Sequence, residues 1–258
     1  MQRVRLATGI DVAYVEHGDH GGAPLLLLHA WVESLGSFDR LLAVLPGSIH
    51  AFALDQRGHG SSDKPAHGYA LADAADDAVA FMDAIGLPAA VVLGSSSGGY
   101  VAQQVALTRP DRVRGLILVG APRSLRGRPT FADEVDRLTD PIGSAWVEAS
   151  LLWFPRFREI PDWYLRDRVE DGVRVPAEIW RRSLAGLLEA RPPTEAGTIA
   201  APTLVIWGGR DELLSLADQE AMVAAIPGAR LVVYDDTGHL VLWEHPERVA
   251  AEVTAFLG

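Results

Sequence analysis

The chain has 258 residues, 48% hydrophobic and 22% charged, with a formal net charge of −11 and no cysteine. That length suits one large domain with room for an inserted subdomain. The acidic balance and the lack of a basic stripe exclude nucleic acid as a partner, and the missing thiols exclude disulfides and thiolate zinc sites.

Two apolar runs, Val4–Ala7 and Val12–Glu16, lie close together around Thr8-Gly9 and predict an antiparallel edge hairpin. Leu25–Leu28 follows as a third strand, an aliphatic run far too short to span a bilayer. Met1–Leu6 lacks the apolar core of a signal peptide, so the expectation is a cytoplasmic protein without membrane contact. Next come a helix over Phe38–Leu45, a strand over Ala51–Leu54, a helix over Leu71–Ile85, a strand over Ala89–Leu93, a helix over Ser97–Thr108 and a strand over Leu116–Val119. Strands that alternate with longer helical patterns predict an α/β fold, here a mostly parallel eight-stranded sheet flanked by helices.

The rhythm breaks between Pro122 and Pro193, where helical segments rich in aromatics and arginine replace the strands. Trp146, Ala149, Ser150, Trp153 and Phe154 share one expected helical face, and Trp180, Leu184, Leu187 and Leu188 another. Arg191-Pro192-Pro193 reads as the return linker. The sheet then resumes with Leu204–Trp207 and Leu231–Tyr234, interleaved with helices over Ser215–Ile226 and Pro246–Phe256. The expected organisation is a core of residues 1–121 and 194–258 carrying a helical cap, 122–193, inserted after the sixth strand. The cap holds twelve arginines and twelve acids, so the whole net charge resides in the core. A near-neutral cap over an acidic body favours an uncharged or weakly anionic small molecule over a polycation.

The most informative stretch is Gly94-Ser95-Ser96-Ser97-Gly98, set between an expected strand and an expected helix. Strand, G-x-S-x-G, helix is the sequence form of a nucleophile elbow, in which a strained turn pushes the central hydroxyl outward. Gly94 and Gly98 fall where strand and helix nearly touch, which makes Ser96 the candidate nucleophile. A serine hydroxyl needs an adjacent base, and that base needs an orienting acid. In a doubly wound sheet both belong just after later strands. Asp211 follows Leu204–Trp207 and His239 follows Leu231–Tyr234, giving the order Ser96, Asp211, His239. Asp211 also suits a helix N-cap before Leu213-Leu214, and Glu212 is an alternative acid. The backbone amides of Trp31, in the loop after Leu25–Leu28, and of Ser97 are the expected oxyanion donors. No HExxH or paired-histidine spacing is present, and neither a metal nor an organic cofactor is expected.

Together with His29-Ala30-Trp31, Asp55-Gln56-Arg57-Gly58-His59-Gly60-Ser61-Ser62, Trp207-Gly208-Gly209-Arg210-Asp211 and Gly238-His239, the Ser96 motif makes the chain resemble the α/β-hydrolase fold superfamily from about Val12 to its end. One departure is Ala30, where such proteins usually carry glycine; its methyl narrows the loop without removing the Trp31 amide. The resemblance implies a serine esterase or lactonase with a helical cap. Carbon–carbon bond hydrolases, cofactor-free haloperoxidases or perhydrolases, and triad-retaining small-molecule receptors share the layout. Trp31-Val32-Glu33-Ser34 also resembles the oxyanion loop of epoxide hydrolases, but those enzymes attack with a carboxylate and position 96 is serine. The expected partner is a small apolar or aromatic substrate, and monomer and homodimer are both compatible. Glu33, Trp153, Phe154, Phe157 and Trp163 are the candidate substrate contacts, each with a competing role in loop pairing or helix packing.

Overall fold

Eight short runs of chain pair into one sheet in the order β1-β2-β4-β3-β5-β6-β7-β8, in a computed structural model that describes residues 1–125 and 127–258. The strands are β1 (Gln2–Arg5), β2 (Asp11–His17), β3 (Ala23–Leu28), β4 (Ile49–Leu54), β5 (Ala90–Ser95), β6 (Val113–Val119), β7 (Thr203–Gly208) and β8 (Arg230–Tyr234). β1–β2 and β2–β4 pair antiparallel at one edge, and every later pair is parallel.

The central strands are apolar on both faces, so their two-residue alternation divides one hydrophobic run between two cores. Leu26, Leu28, Val92, Leu116 and Leu118 face one core, while Leu25, Leu27, Leu93, Ile117 and Val119 face the other. The helices of the body are α1 (Asp39–Leu42), α2 (Leu71–Ala84), α3 (Ser97–Thr108), α9 (Leu216–Ala225), α10 (Val241–Glu244) and α11 (Pro246–Leu257). α2 and α3 cover the first face, and α1, α10 and α11 cover the second. Between β6 and β7 the described residues form helices only: α4 (Ala132–Asp136), α5 (Ser144–Ser150), α6 (Asp162–Arg174), α7 (Ala177–Glu189), α8 (Pro193–Ala196) and a 3-10 turn over Leu151–Trp153. This insert is tied to the body by Trp31 Nε1 donating to Ser183 Oγ (2.8 Å) and Tyr164 OH donating to the Ser37 carbonyl (2.8 Å). No helix among the described residues is long and apolar enough to cross a membrane.

Several boundaries differ from the sequence expectation for local reasons. β1 sits two residues earlier than Val4–Ala7, because Gly9, at φ 88°, closes a turn in which Leu6 N–H donates to the Ile10 carbonyl and Gly9 N–H to the Leu6 carbonyl. The turn consumes Leu6 and Ala7. The expected helix over Phe38–Leu45 is a 3-10 turn, Leu35–Phe38, capped by the Ser34 hydroxyl and leading into the short α1. Trp146 and Trp153 do not share one continuous helix, and Ala149 is exposed. α5 stops at Ser150 and Phe154 is extended, at φ −119° and ψ 101°. Pro155 follows, and the residue before a proline is pushed out of the helical region. Pro193, read as part of a linker, opens the helical turn α8.

Candidate active site

The site is assembled at the carboxyl ends of β3, β5, β7 and β8. β5 runs through Ser95, its last residues paired with Leu118 and Val119 of β6. Ser96 N–H donates to the Val119 carbonyl (2.9 Å), and α3 begins at Ser97. Between strand and helix, Ser96 holds φ 47° and ψ −119°. A non-glycine residue there stores strain of about 1–3 kcal/mol. The turn closes only because Gly94 and Gly98 lack side chains: a Cβ on Gly94 would stand 2.3 Å from the Gly98 carbonyl oxygen.

Ser96 Oγ lies 2.9 Å from His239 Nε2, and His239 Nδ1 lies 2.8 Å from Asp211 Oδ2. The Asp211 side chain is 0% exposed. Its second oxygen accepts from the Leu213 and Leu214 amides at 2.8 and 3.0 Å, so one carboxylate both orients the imidazole and caps the turn after β7. Glu212, the alternative acid, is exposed. The loops that carry Asp211 and His239 are stitched together by Gly209 N–H to the Tyr234 carbonyl and Arg210 N–H to the Thr237 carbonyl, both 2.9 Å. Phe154 packs on the His239 ring, 5.0 Å between centroids.

The loop after β3 approaches Ser96 from the other side. Among the described residues neither the Trp31 amide nor the Ser97 amide donates a hydrogen bond, and both residues line a cavity together with Ser96. Val32, next to Trp31, has φ 58°, an outlier for a β-branched residue. Beneath this loop His29 and His59 pack edge to face, 5.2 Å between centroids. His29 Nδ1 meets the Ala30 carbonyl (2.8 Å), and His29 Nε2 accepts from the Gln56 amide (2.9 Å), which fixes a neutral tautomer. Burial pushes the pKa of His29 down to about 4 and that of His59 to about 3.

Ser96 stands between two spaces. An inner cavity of about 80 Å³ is lined by Trp31, Glu33, Ser96, Trp153, Phe154, Arg168, Trp180, His239 and Trp243, among others. An outer one of about 290 Å³ is bounded by Trp31, Ser96, Ser97, Phe131, Phe154 and Leu188, among others. Trp31 and Phe154 border both. Glu33 is buried, which raises its carboxyl above the usual range, while Arg168 pulls the other way. Its Oε2 lies 2.5 Å from Ser37 Oγ.

Two expected substrate contacts lie elsewhere. Phe157, 38% exposed, packs against Gly238 and lies under the Arg210 guanidinium (5.0 Å). Trp163 is 43% exposed and meets Tyr164 edge-on. Tyr164 occupies the inward position of α6, and one residue of a helix is about 100° of rotation, so Trp163 falls on the outer side. Neither lines the inner or the outer cavity. Conversely, Arg168, Trp180 and Trp243 line the inner cavity although none of them is among the candidate substrate contacts; Trp180 is expected only as part of a helical face, and Arg168 and Trp243 carry no expectation. Tyr164, Arg168, Asp171 and Gly172 are spaced i, i+4, i+7, i+8 and are all buried, so an arginine and an aspartate share the inward face of α6.

One group among the described residues has ligand atoms close enough to share a metal ion. Glu16, His20 and His50 place theirs within 4.8 Å of one another. They sit where β2 ends and β4 begins, at the amino-terminal edge of the parallel strands, opposite Ser96. His20 is 89% exposed and Glu16 already pairs with His50 at 2.6 Å.

Residues 25–252 match the family model described as "Alpha/beta hydrolase family". Over 97% of its length the chain is 31% identical to the dihydrolipoyllysine-residue acetyltransferase component of the acetoin cleaving system of Cupriavidus necator, covering 67% of that protein. It is 28% identical to a non-heme chloroperoxidase of Streptomyces lividans, covering 100% of this chain and 99% of that one. Among solved structures, a thermophilic esterase from Thermogutta terrifontis superposes with a TM-score of 0.83 at 26% identity, over 100% of this chain and 98% of that one.

Proposed function

Because the chain belongs to the alpha/beta hydrolase family, we propose that it hydrolyses a small carboxylic ester or lactone through an acyl-enzyme on Ser96. The observation that carries this reading is the unbroken hydrogen-bonded line from Ser96 Oγ through His239 to Asp211, opening on a cavity.

In the first half-reaction His239 Nε2 takes the Ser96 proton as Oγ bonds to the carbonyl carbon, and the carbonyl oxygen becomes an alkoxide facing the Trp31 and Ser97 amides. Asp211 stabilises the imidazolium. The proton then passes from His239 to the leaving oxygen as the carbon–oxygen bond breaks, leaving the acyl group on Ser96 and releasing the alcohol. In the second half-reaction water replaces the alcohol: His239 takes its proton, the hydroxide bonds to the acyl carbon, and the returned proton restores Ser96 as the acid departs. The helical insert acts as a cap that encloses the acyl portion, and the outer cavity takes the leaving group.

The likeness to the Streptomyces chloroperoxidase supports a second reading, in which hydrogen peroxide replaces water in the same half-reaction and yields a peracid. Incubation with p-nitrophenyl acetate and butyrate separates these enzymes from a receptor with the same residues. Many turnovers per protein molecule are expected, whereas a receptor stops at about one. Ser96→Ala is expected to lose several orders of magnitude of rate. Retention of most of the activity would remove Ser96 from the role assigned to it.

A further inference from the structure

At the edge of the sheet opposite Ser96, one carboxylate oxygen serves two imidazoles. Glu16 Oε1 lies 2.6 Å from His50 Nε2 and 3.2 Å from His20 Nδ1. The other oxygen, Oε2, accepts from Gln2 Nε2 at 3.3 Å, which steadies the plane of the carboxylate. The two rings stand edge to face, 5.2 Å between centroids. His50 packs on Phe52 at 4.4 Å and its side chain is only 12% exposed, so its ring is held from behind.

The three side chains come from three pieces of chain that the backbone fastens together. Glu16 stands near the end of β2, paired with Phe52, and His50 near the start of β4, paired with Pro24. His20 lies in the turn between β2 and β3. Two glycines let this turn rest directly on the entry to β4. A Cβ on Gly18, which has φ 84°, would stand 1.9 Å from the Ile49 carbonyl oxygen, and one on Gly22 would stand 2.6 Å from that of Ser48. Asp19 N–H donates to the Gly47 carbonyl and Ala23 N–H to the Ser48 carbonyl, both at 2.8 Å. A turn bound so closely keeps His20 beside β4 even though its side chain is 89% exposed. Glu16 and His50 are 34 residues apart, so no spacing within one segment announces the set.

We propose that Glu16, His20 and His50 bind a zinc ion, with Glu16 Oε1, His20 Nδ1 and His50 Nε2 as its protein ligands and water completing the coordination. Two imidazoles and a carboxylate suit zinc, whereas magnesium and calcium take oxygen ligands. The ligand atoms all lie within 4.8 Å of one another. A tetrahedral ion with bonds of roughly 2.0–2.2 Å needs them about 3.3 Å apart. Glu16 and His50 therefore part by less than about 1 Å, and the exposed His20 ring adjusts by side-chain rotation alone. The hydrogen bond from His50 holds the Glu16 carboxyl below its usual range, so it is already the anion that a metal needs. The ion takes the place of the N–H protons that otherwise join the imidazoles to Glu16 Oε1, and each neutral ring carries its remaining proton on the other nitrogen. At this edge of the sheet the ion takes no part in chemistry at Ser96; it clamps the turn after β2 to β4. Its consequence is stability, since an ion bound by the folded chain alone raises the melting temperature as its free concentration rises.

Tag-free, chelator-treated protein is titrated with zinc chloride at pH 7.5 by calorimetry, and its melting temperature is followed over the same concentrations. One ion per chain is expected, with a melting temperature that climbs with zinc and does not respond to magnesium chloride. His20→Ala is the deciding variant, because a ring so exposed is not needed for folding. It should weaken zinc binding at least about tenfold, the loss caused even by removing a group that stands behind a ligand. Glu16→Gln, which keeps the shape and removes the charge, should do the same. The absence of saturable zinc binding overturns the proposal. Unchanged affinity in either variant also overturns it, since the ion would then sit on other histidines. Magnesium binding as tight as that of zinc overturns it as well, by reducing the site to a concentration of charge. None of these outcomes depends on ester hydrolysis.

Discussion

Gly98 presses the first turn of α3 against the end of β3: a Cβ at this position would stand 2.1 Å from the Leu28 carbonyl oxygen and 2.5 Å from that of His29. The obstacle is backbone on both counts, so no side-chain rotation relieves it. Gly98→Ala is therefore expected to destabilise the fold at or beyond the upper end of the roughly 1–3 kcal/mol seen for overpacking. It should also displace Ser96, which sits two residues earlier. Gly143→Ala is the control, since nothing lies within 4 Å of its added Cβ and its φ is −79°. Thermal unfolding of the two variants should differ clearly, with Gly143→Ala within about 0.5 kcal/mol of the parent. Equal stability of the two would mean that the elbow is looser than its geometry implies.

Asp211 engages both of its oxygens, and this makes Asp211→Asn informative. The amide oxygen can keep the bonds from the Leu213 and Leu214 amides, so the turn survives. The NH₂ group then faces His239 Nδ1, which must accept, and the imidazole is forced to carry its proton on Nε2 towards Ser96. A base that is already protonated cannot take the serine proton. Where the same change has been made in a serine protease, kcat fell by about 10⁴, and a loss of that order is expected here with little change in melting temperature. A near-normal kcat would transfer the orienting role to another acid.

The buried pair His29 and His59 gives stability a predictable pH dependence. Both are neutral in the folded chain, with pKa values of about 4 and about 3. In the unfolded chain each titrates near the ordinary histidine value of about 6.5. Below that pH the unfolded state binds more protons than the folded one, so stability falls as pH drops from about 6.5 towards 4. Asp171, held up to about 6 by burial, acts in the opposite sense. Its folded form binds the extra proton between about 4 and 6, so it adds stability as pH falls through that window. The two histidines, shifted further than Asp171, set the sign of the expected loss, which the other carboxyls raised by burial, Glu33 and Asp55 among them, make smaller. Denaturant unfolding at pH 7.0, 6.0 and 5.0 measures it. A flat profile would show that the imidazoles open to water before they are protonated.

The elements that carry this chemistry were legible because they depend on local pattern. Seven of the eight strands have an apolar signature, β1 (Gln2–Arg5) carrying a single apolar residue, and the Gly94-to-Gly98 motif requires its glycines through contacts with backbone rather than with distant side chains. Asp211 and His239 follow apolar strands directly, and strand order alone brings them near Ser96. The insert was less legible. Its aromatics satisfy a helical period whether they face the cavity, as Trp153 does, or solvent, as Trp163 does. Pro155 ends the regular geometry just after Phe154, so between there and the start of α6 at Asp162 the helical period does not say where a side chain points. Arg168 was hidden for a different reason: with twelve arginines in the insert, composition does not distinguish a buried guanidinium from those on the surface.

Phe154 separates the two spaces around Ser96, and its removal should change selectivity more than rate on small substrates. The ring lines both cavities, packs on His239 at 5.0 Å and meets Phe131 at 6.0 Å. Phe154→Ala joins the inner cavity of about 80 Å³ to the outer one of about 290 Å³. Longer acyl chains then find room, so kcat/KM for p-nitrophenyl octanoate is expected to rise by about tenfold relative to the acetate, on the order of 1.4 kcal/mol. Because Phe154 is only half-buried, the stability cost should stay below the roughly 3–5 kcal/mol of a fully buried Phe→Ala change. Phe157→Ala, three residues on and outside both cavities, should leave the chain-length profile unaltered. If the two variants shift that profile equally, the wall between the cavities is set by the insert as a whole and not by the Phe154 ring.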